Sequence, residues 1–271
     1  MKLFGLLGEK LGHSLSPQIH DLVFQDFKLE AYYHLFEVDK KSLKDACTGF
    51  KAIKVSGLNV TIPYKVEVMQ YLDEVSEEAK KIGAVNTLVF QDNKMIGYNT
   101  DYYGFGMMLD KFKVSIKGKK AVVLGTGGAS KAVVQYLEDN GINNIIFAST
   151  NIQKGKNIYP HHKIVSYDEL NHLNNQDIII NCTPVGMHPN NDECIVDKNI
   201  LSKFSAAVDL IYNPAETLFL KEAKDLGCKT INGLYMLVGQ AIKAEELWNN
   251  VEIKKDVMDK IYDEILRNSE Q

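Results

Sequence analysis

Short apolar runs alternate with helical periodicity over the first hundred residues. The apolar runs at 3–8, 32–38 and 57–62 predict strands, and the segments near 17–27 and from Ser42 onward have the spacing of amphipathic helices. Strands that alternate with helices are typical of β/α units on a largely parallel sheet. The chain is therefore expected to begin with an α/β unit.

The end of this first stretch has a different pattern. A predicted helix at 66–72 precedes an apolar run at 84–90, and a turn-like segment at 91–94 joins that run to a further one at 95–98. Two apolar runs joined by such a short polar turn indicate a β-hairpin.

A second alternation begins with a predicted strand at 121–124, which leads directly into a glycine-rich turn at 125–130 and then into a helix through Leu137. Further strands are predicted at 144–148, 177–181 and 206–209. Each is spaced for a crossover connection, so the pattern favours a doubly wound, Rossmann-like parallel sheet.

The chain is long enough for two domains, since 271 residues exceed the usual single-domain size. We predict an α/β fold in which residues 1–102 form a domain with a mainly parallel sheet and residues 103–237 form the Rossmann domain. The tail from Leu237 to Arg267 is helical in period. We assign residues 238–271 to the first domain, because a helix that follows the second domain can pack back on the first.

Composition narrows the class of partner. Hydrophobic residues make up 45% of the chain and charged residues 24%, values close to those of soluble globular proteins. The formal net charge of −4 is spread over both signs without long runs, which argues against a nucleic-acid or membrane partner. Small molecules are the expected partners, and the chain is expected to be a monomer or a homodimer.

Two further features bear on the cellular compartment. Only the stretch 3–8 separates the charged residue Lys2 from Glu9, too short for a signal-peptide core or a membrane span. The four cysteines are scattered without a Cys-x-x-Cys pair, which predicts neither a metal site nor a disulfide framework. We expect a cytoplasmic protein with reduced cysteines.

The glycine-rich turn is the first candidate binding site. A glycine cluster that follows a buried strand and opens a helix lets the backbone approach a pyrophosphate, and the helix start offers free N–H groups to the anion. The turn contains Gly125, Thr126, Gly127, Gly128, Ala129 and Ser130, with a serine in place of the third glycine of the general pattern. The rival interpretation is an ordinary tight β/α turn.

The segment after the next strand bears on the choice of cofactor. Enzymes that use NAD commonly place an acidic residue about 20 residues beyond the glycines, where it binds the ribose hydroxyl. No acid stands at 147–154, where the polar residues are Ser149, Thr150, Asn151 and Lys154. Hydroxyls, an amide and a cation suit a 2′-phosphate, so NADP is favoured, although NAD stays possible.

Two segments of the first domain carry candidate acid/base chemistry. Lys65 follows the strand at 57–62 and falls in the first turn of a predicted helix, and Asp101 stands just before a helix predicted to begin at Tyr102. A positioned lysine can act as a proton donor and acceptor. The ordinary interpretations are a solvated lysine and a helix N-cap.

Paired hydroxyls provide a candidate substrate contact. Ser14 and Ser16 stand two residues apart ahead of Pro17, at the start of a predicted helix. Helix capping is the ordinary role of serines in this position. Asn86 and Thr87 form a polar pair inside an apolar run, and a buried pair of this kind needs a partner, which a hydroxyl-rich ligand would supply.

Eight segments together resemble the shikimate dehydrogenase family over nearly the whole chain. They are His13-Ser14-Leu15-Ser16-Pro17, Asn59-Val60-Thr61-Ile62-Pro63-Tyr64-Lys65, Gly83-Ala84-Val85-Asn86-Thr87, Gly97-Tyr98-Asn99-Thr100-Asp101, the glycine turn, Asn181-Cys182-Thr183-Pro184-Val185-Gly186-Met187, Asp209-Leu210-Ile211-Tyr212-Asn213-Pro214 and Asn232-Gly233-Leu234-Tyr235-Met236-Leu237-Val238-Gly239-Gln240-Ala241.

The resemblance implies a substrate-binding first domain, an NADP-binding Rossmann domain, and NADPH-dependent reduction of 3-dehydroshikimate to shikimate in aromatic amino acid (chorismate) biosynthesis. Lys65 and Asp101 would be the catalytic pair. The implied substrate contacts are Ser14, Ser16, Asn59, Thr61, Asn86, Tyr212 and Gln240. The implied cofactor contacts, besides the glycine turn and the polar loop, are Thr183, Met187, Leu210, Gly233 and Met236.

The chain departs from the family pattern in the cofactor loop. The family usually has Asn-Arg-Thr where this chain has Ser149-Thr150-Asn151, so the arginine that would clasp the 2′-phosphate is missing. This departure keeps open a quinate/shikimate dehydrogenase that uses NAD. The paired serines argue against a folate-type dehydrogenase. The presence of both Lys65 and Asp101 argues against a catalytically silent dinucleotide-binding regulator.

Overall fold

The computed structural model of the chain describes residues 1–12 and 14–269. The chain folds into two compact units, one formed by Met1–Gly104 together with the segment from Leu237 onward, and the other by Phe105–Met236. Within the described residues each unit contains one six-stranded sheet. No helix of this described part is long and apolar enough to cross a membrane.

The secondary structure follows the predicted alternation. Over the first 111 residues the strands are β1 (Lys2–Gly8), β2 (Ala31–Glu37), β3 (Gly57–Val60), β4 (Glu74–Val75), β5 (Thr87–Gln91) and β6 (Lys94–Tyr98). The helices are α1 (Ser16–Asp26), α2 (Leu43–Ala52), α3 (Tyr64–Glu67), α4 (Glu77–Ile82) and α5 (Thr100–Lys111), with 3₁₀ turns at Lys40–Ser42 and Val68–Tyr71.

The later elements continue the alternation. The strands are β7 (Lys120–Leu124), β8 (Asn144–Ala148), β9 (Lys163–Val165), β10 (Ile178–Asn181), β11 (Ala206–Asp209) and β12 (Lys229–Ile231). The helices are α6 (Gly128–Asp139), α7 (Ile152–Ile158), α8 (Lys198–Leu201), α9 (Leu218–Asp225), α10 (Leu234–Asn249) and α11 (Lys255–Ser269), with a 3₁₀ turn at Asp168–His172.

The first sheet is mixed but mainly parallel, as predicted. Its order is β2-β1-β3-β5-β6-β4. The pairs β1–β2, β1–β3 and β4–β6 are parallel, and the pairs β3–β5 and β5–β6 are antiparallel. Because β5 runs against its neighbours, the end of β3, the start of β5 and the end of β6 meet at one edge of the sheet.

Helices cover both faces of this sheet. Leu7 packs with α2, whereas Phe4, on the opposite face of the same strand, packs with α1 and α10. The Phe4 and Trp248 rings stack with centroids 4.9 Å apart, and the Trp248 indole N–H donates to the Leu88 carbonyl at 2.9 Å. A Cβ atom at Gly57 would lie 2.3 Å from the Trp248 ring, so this strand position requires glycine.

The second sheet has the doubly wound order that the sequence predicts. Its six strands run β12-β11-β10-β7-β8-β9, and all five pairs are parallel. The chain starts at the central strand β7, builds outward through β8 and β9, and then returns to β10. The order therefore reverses between β7 and β10, and such a switch point is where doubly wound sheets bind ligands, beyond the carboxyl ends of the strands.

Two predicted elements have different bounds in the structure, and the helical tail divides into two helices. The helix predicted at 66–72 is one α-turn, α3, followed by a 3₁₀ turn. The run at 84–90 begins its strand only at Thr87, because the chain leaves α4 through Gly83 in the left-handed conformation. The tail is two helices: Asn250 is left-handed with φ 51°, and the Val251 N–H bonds back to the Glu246 carbonyl, which ends α10.

Candidate active site

A lysine and an aspartate form an ion pair at the edge of the first sheet. The Lys65 Nζ lies 2.6 Å from Asp101 Oδ2, and the two side chains are 25% and 18% exposed. Lys65 stands on α3 just beyond β3, and its carbonyl accepts the Val85 N–H at 2.7 Å. The pair is half-buried and still accessible, as an acid/base pair must be.

Asp101 does not have the ordinary role of a helix N-cap, the alternative to its predicted catalytic role. The helix α5 begins at Thr100, so Asp101 lies inside its first turn. Asn99 supplies the cap instead, because its Oδ1 accepts the Tyr102 N–H at 3.4 Å. The Asp101 carboxylate therefore does not cap the helix, and it pairs with Lys65 instead.

The Asn86 amide oxygen is occupied by donors within the described part of the protein, and its nitrogen is not. Its oxygen accepts from the Thr100 N–H at 2.6 Å, the Thr100 hydroxyl at 3.2 Å and the Thr87 hydroxyl at 3.1 Å. Its Nδ2 has no partner among the described residues, although the side chain is only 3% exposed. Since an amide carries two N–H donors, Asn86 can donate to a ligand oxygen.

Asn59 is held in a similar way from the neighbouring strand. Its Oδ1 accepts from the Tyr33 hydroxyl at 2.7 Å, and its Nδ2 donates to Thr87 Oγ1 at 3.2 Å. Burial raises the pKa of Tyr33 well above its ordinary value, with a hydrogen bond to Ser16 acting against this shift and the charge of Glu245 adding to it. The phenol therefore keeps its proton and donates it to Asn59.

The predicted serine contacts lie at the start of α1. The Ser14 Oγ accepts the Ser16 N–H at 3.2 Å, and Ser16 is 7% exposed as the first residue of the helix. Ser16 does not have the ordinary capping role, since Leu15 occupies the N-cap without a side-chain hydrogen bond. His13 of the same motif lies outside the described residues.

The remaining substrate candidates have separate surroundings. Thr61 directly follows β3, where its N–H donates to the Leu7 carbonyl at 2.9 Å. Gln240 is 8% exposed on α10, and its Nε2 donates to the Leu237 carbonyl at 2.9 Å. Tyr212 belongs to the second unit and is half-buried after β11. Their contact with substrate stays a prediction.

Tyr33 and Thr100 belong to this network but were not singled out from the sequence. Both reach it through side-chain hydroxyls, Tyr33 toward Asn59 and Thr100 toward Asn86. The available signal was a polar atom in an otherwise apolar or buried position, the same signal that marked Asn86 and Thr87.

The glycine turn of the second unit is open to a ligand. Gly125 has φ +92°, a left-handed conformation that favours glycine, and a Cβ there would lie 2.6 Å from the Thr183 side chain. Cβ atoms at Gly127 and Gly128 would meet nothing within 4 Å. The first N–H groups of α6 have no partner in the helix, so the turn fits a pyrophosphate.

Ser130, which replaces the third glycine, is fully buried. Its hydroxyl donates to the Gly127 carbonyl at 2.7 Å and lies 2.8 Å from the Tyr159 hydroxyl. The serine thus packs closely and also stabilises the turn. Thr126 and Ala129 are, respectively, half-buried before the helix and exposed in its first turn.

The polar loop after β8 is shaped by its own side chains. Ser149 is buried, and its Oγ accepts the Asn151 N–H at 3.2 Å. Asn151 caps α7 by accepting the Lys154 N–H at 2.9 Å. Thr150 and Lys154 are exposed, so a hydroxyl and an ammonium remain available for a phosphate.

A buried carboxylate joins the loops after β10 and β11. Asp209 is fully buried and accepts from Asn181 Nδ2 at 3.1 Å, from the Ile211 N–H at 3.0 Å and from the Thr217 hydroxyl at 2.7 Å. Asn181 in turn accepts from the Thr183 hydroxyl at 2.7 Å. Burial raises the pKa of Asp209 to about 6, and these hydrogen bonds limit the rise.

The other predicted cofactor contacts surround these loops. Met187 is 47% exposed and Met236 is 9% exposed. The Leu210 N–H donates to the Asn181 carbonyl at 3.1 Å. A Cβ atom at Gly233 would lie 2.0 Å from the Leu210 carbonyl oxygen, so only glycine fits there. Their contact with a cofactor stays a prediction.

One unit of the chain is doubly wound and has an open glycine turn, and the other has a lysine–aspartate pair among amides and hydroxyls. These features define the class of two-domain nicotinamide-dependent dehydrogenases. A family model of the shikimate dehydrogenase substrate binding domain matches residues 6–88. A model of shikimate / quinate 5-dehydrogenase matches residues 107–205. The chain belongs to the shikimate dehydrogenase family, and the resemblance found in the sequence is confirmed.

Individual relatives match this chain over nearly its whole length. The chain is 49% identical over 267 residues to shikimate dehydrogenase (NADP(+)) of Clostridium perfringens (strain 13 / Type A), with 98% of each chain covered. The crystal structure of a chorismate mutase/shikimate 5-dehydrogenase fusion protein from Clostridium acetobutylicum is 53% identical, with a TM-score of 0.98 and coverage of 100% of this chain and 99% of that chain.

A more distant relative was solved with both ligands. Shikimate 5-dehydrogenase from Thermus thermophilus, in complex with NADP(H) and shikimate, is 30% identical, with a TM-score of 0.88. The match covers 99% of this chain and all of that chain. The similarity therefore includes both units of the fold.

Replacing Asp209 by asparagine tests the buried carboxylate. The folded-state pKa of about 6 exceeds the ordinary 3.8, so the stability that Asp209 contributes is greatest below the lower value and is lost as the pH rises through the upper one. From about pH 7.5 to about pH 5, the free energy of unfolding of the native protein should therefore rise relative to Asp209→Asn by about 1 kcal/mol. Urea unfolding at both pH values measures this.

The matched control is Asp177→Asn, at the opposite end of the same sheet. Hydrogen bonds from the Lys120 N–H and the Lys119 ammonium lower the pKa of Asp177. Its contribution to stability should stay constant over the same pH interval, because it is lost only as the pH falls below the ordinary value. An equal pH dependence for both variants would contradict the role of burial at Asp209.

Proposed function

We propose that this protein is an NADP-dependent shikimate dehydrogenase that catalyses the reversible reduction of 3-dehydroshikimate to shikimate, a reaction of aromatic amino acid biosynthesis. The observation that carries the proposal is the half-buried Lys65–Asp101 ion pair of 2.6 Å, beside amides whose N–H groups are available to a ligand. The proposal is supported by the activity in the name of a relative that is 49% identical over 98% of this chain, shikimate dehydrogenase (NADP(+)).

Lys65 is the proton donor and acceptor in this proposal. NADPH, when bound, supplies the hydride for the ketone carbon, and negative charge then grows on the ketone oxygen. The Lys65 ammonium stabilises that charge and transfers a proton to the oxygen. In the reverse direction the neutral amine takes the proton from the shikimate hydroxyl.

Asp101 orients and balances Lys65. A carboxylate oxygen at 2.6 Å fixes the ammonium in one position and balances its charge. The hydrogen bonds of Asn99 and Thr100 fix the first turn of α5, from which the carboxylate extends.

The substrate is held by hydrogen-bond donors and hydroxyls. Asn59 and Asn86 have their amide oxygens occupied within the protein, so each offers N–H groups to ligand oxygens. Shikimate has hydroxyls and a carboxylate, which accept such bonds. Ser14, Ser16, Thr61, Tyr212 and Gln240 complete the proposed set.

We further propose that residues 1–102 and 238–271 are the substrate-binding domain and that residues 103–237 bind NADP. The pyrophosphate is expected over the start of α6, where the glycines leave open space. The 2′-phosphate is expected at Thr150 and Lys154. The four free cysteines suit a cytoplasmic location, which cell fractionation tests. The protein is proposed to be a monomer or a homodimer, and sedimentation distinguishes these two states.

Absorbance of the reduced nicotinamide tests the activity directly. Purified protein with shikimate should reduce NADP⁺ much faster than NAD⁺. Comparable or faster reduction of NAD⁺ would instead favour the quinate/shikimate type of enzyme. No reduction of either cofactor by a folded protein that binds nucleotide would contradict the proposal and favour a regulator.

Replacing Lys65 by alanine should lower kcat by roughly 100-fold to 10,000-fold, because a positioned proton transfer is lost, with the KM for shikimate changed far less. Steady-state kinetics measures both constants. Lys94→Ala is the matched control, since Lys94 forms an ion pair with Glu74 at 2.5 Å on the exposed surface. A turnover of Lys65→Ala equal to that of the control would exclude the proposed role.

Replacing Lys154 by alanine should raise the KM for NADP⁺ by about tenfold, as expected for the loss of one charge-assisted hydrogen bond to phosphate. The KM for NAD⁺, which lacks the 2′-phosphate, should stay nearly unchanged. Lys156→Ala, in the last turn of the same helix, serves as the control. A loss of equal size with both cofactors would mean that Lys154 does not recognise the phosphate.

A further inference from the structure

A buried histidine–glutamate pair lies behind the proposed substrate contacts. His20 is 0% exposed and Glu245 is 1% exposed. The His20 Nδ1 lies 2.5 Å from Glu245 Oε1, and its Nε2 lies 3.1 Å from Asn59 Oδ1. The other carboxylate oxygen accepts from Asn249 Nδ2 at 2.9 Å. The proposed chemistry does not use this pair, and it does not contact Lys65 or Asp101.

Hydrogen-bond donors and acceptors determine the protons on the ring. The Asn59 oxygen accepts from the Tyr33 hydroxyl, and the Asn59 nitrogen donates to Thr87, so the atom that faces His20 is an acceptor. His20 Nε2 must therefore donate. The Nδ1 faces the Glu245 carboxyl group at 2.5 Å, and this contact holds the ring in the orientation that directs Nε2 at Asn59.

Asn59 consequently has one amide N–H left for a ligand. Both lone pairs of its oxygen are occupied, by Tyr33 and by His20, and one N–H is occupied by Thr87. The second N–H has no partner among the described residues. Without the His20 donor, the amide could rotate and present its oxygen where the N–H now points.

The pair also joins the elements that carry other proposed contacts. His20 lies on α1, which begins with Ser16, and Glu245 lies on α10, which carries Gln240. The His20 ring stacks on Tyr33, with centroids 4.1 Å apart and planes 9° apart. Apolar side chains would fill this space at lower desolvation cost, so the buried polar pair indicates a requirement for a defined hydrogen-bond arrangement.

We propose that His20, held by Glu245, is a positioning residue that fixes the Asn59 amide so that its N–H faces a shikimate oxygen. This inference rests on the proposed function, in which Asn59 contacts the substrate. His20 determines affinity for shikimate through Asn59 and takes no part in proton transfer at Lys65.

Two substitutions at one position separate the two hydrogen bonds of the ring. In His20→Asn the amide nitrogen replaces Nδ1 and can reach Glu245, but nothing reaches Asn59. In His20→Gln the amide nitrogen replaces Nε2 and can still donate to Asn59. Val23→Ala, which shortens a buried side chain of the same helix, controls for loss of stability.

His20→Asn should raise both the KM and the calorimetric Kd for shikimate by about tenfold, the effect of one misplaced hydrogen bond. The kcat, its pH profile and the KM for NADP⁺ should stay within about twofold of the native values. His20→Gln should restore most of the affinity. Val23→Ala should lower the melting temperature without changing the KM.

A double-mutant cycle tests whether His20 acts through Asn59. In an Asn59→Ala background, His20→Asn should cause no further rise in the Kd for shikimate. An equal rise in both backgrounds, or equal losses in His20→Asn and His20→Gln, would overturn the inference. If His20→Asn does not fold, His20→Gln alone provides the test, because it keeps a donor toward Asn59. A Kd for shikimate close to the native value supports the inference, and a rise of about tenfold overturns it.

The wild-type protein distinguishes the two possible failures. If it does not oxidise shikimate with either cofactor, the proposed function fails. If it oxidises shikimate but the His20 variants bind shikimate as tightly as the native protein, only the positioning role is wrong.

Discussion

Polar side chains buried at the edge of the first sheet require hydrogen-bond partners, and this requirement organises the unit around them. The antiparallel strand β5 brings its first residue beside the end of β3, so that Thr87 lies between Asn59 and Asn86. Each of the two amide oxygens then accepts hydrogen bonds from donors within the protein. What remains at the edge is a set of N–H donors, together with the Lys65–Asp101 pair.

The second unit meets the same requirement by different means. Asp209 is fully buried and accepts three hydrogen bonds that connect the loops after β10 and β11. The first N–H groups of α6, at the end of the glycine turn, have no partner within the helix. At both candidate sites the buried amide and carboxylate oxygens accept hydrogen bonds from the protein, and N–H groups remain for a ligand. Such sites suit ligands rich in oxygen and negative charge, as shikimate and NADP are.

Much of this organisation was predictable from local patterns, and the exceptions have physical causes. The strands β8 and β11 have the predicted bounds, because continuous apolar runs mark buried parallel strands. The strands β4, β9 and β12 were not predicted. They have two or three residues, begin with Glu74, Lys163 and Lys229, and become strands only by pairing with a neighbour. The helix predicted after Lys65 is one turn because the 3₁₀ turn at Val68–Tyr71 replaces its continuation.

Local periodicity and short motifs were sufficient to specify the α/β class, the doubly wound order, the glycine turn and the residue types of the candidate site. Which side chains meet became known only from the folded chain. Lys65 and Asp101 are 36 residues apart, and His20 and Glu245 are 225 residues apart. Periodicity indicates that His20 and Glu245 lie on buried helix faces, but it contains no information about their partners. Those partners depend on strand order and helix packing, which bring distant parts of the chain together.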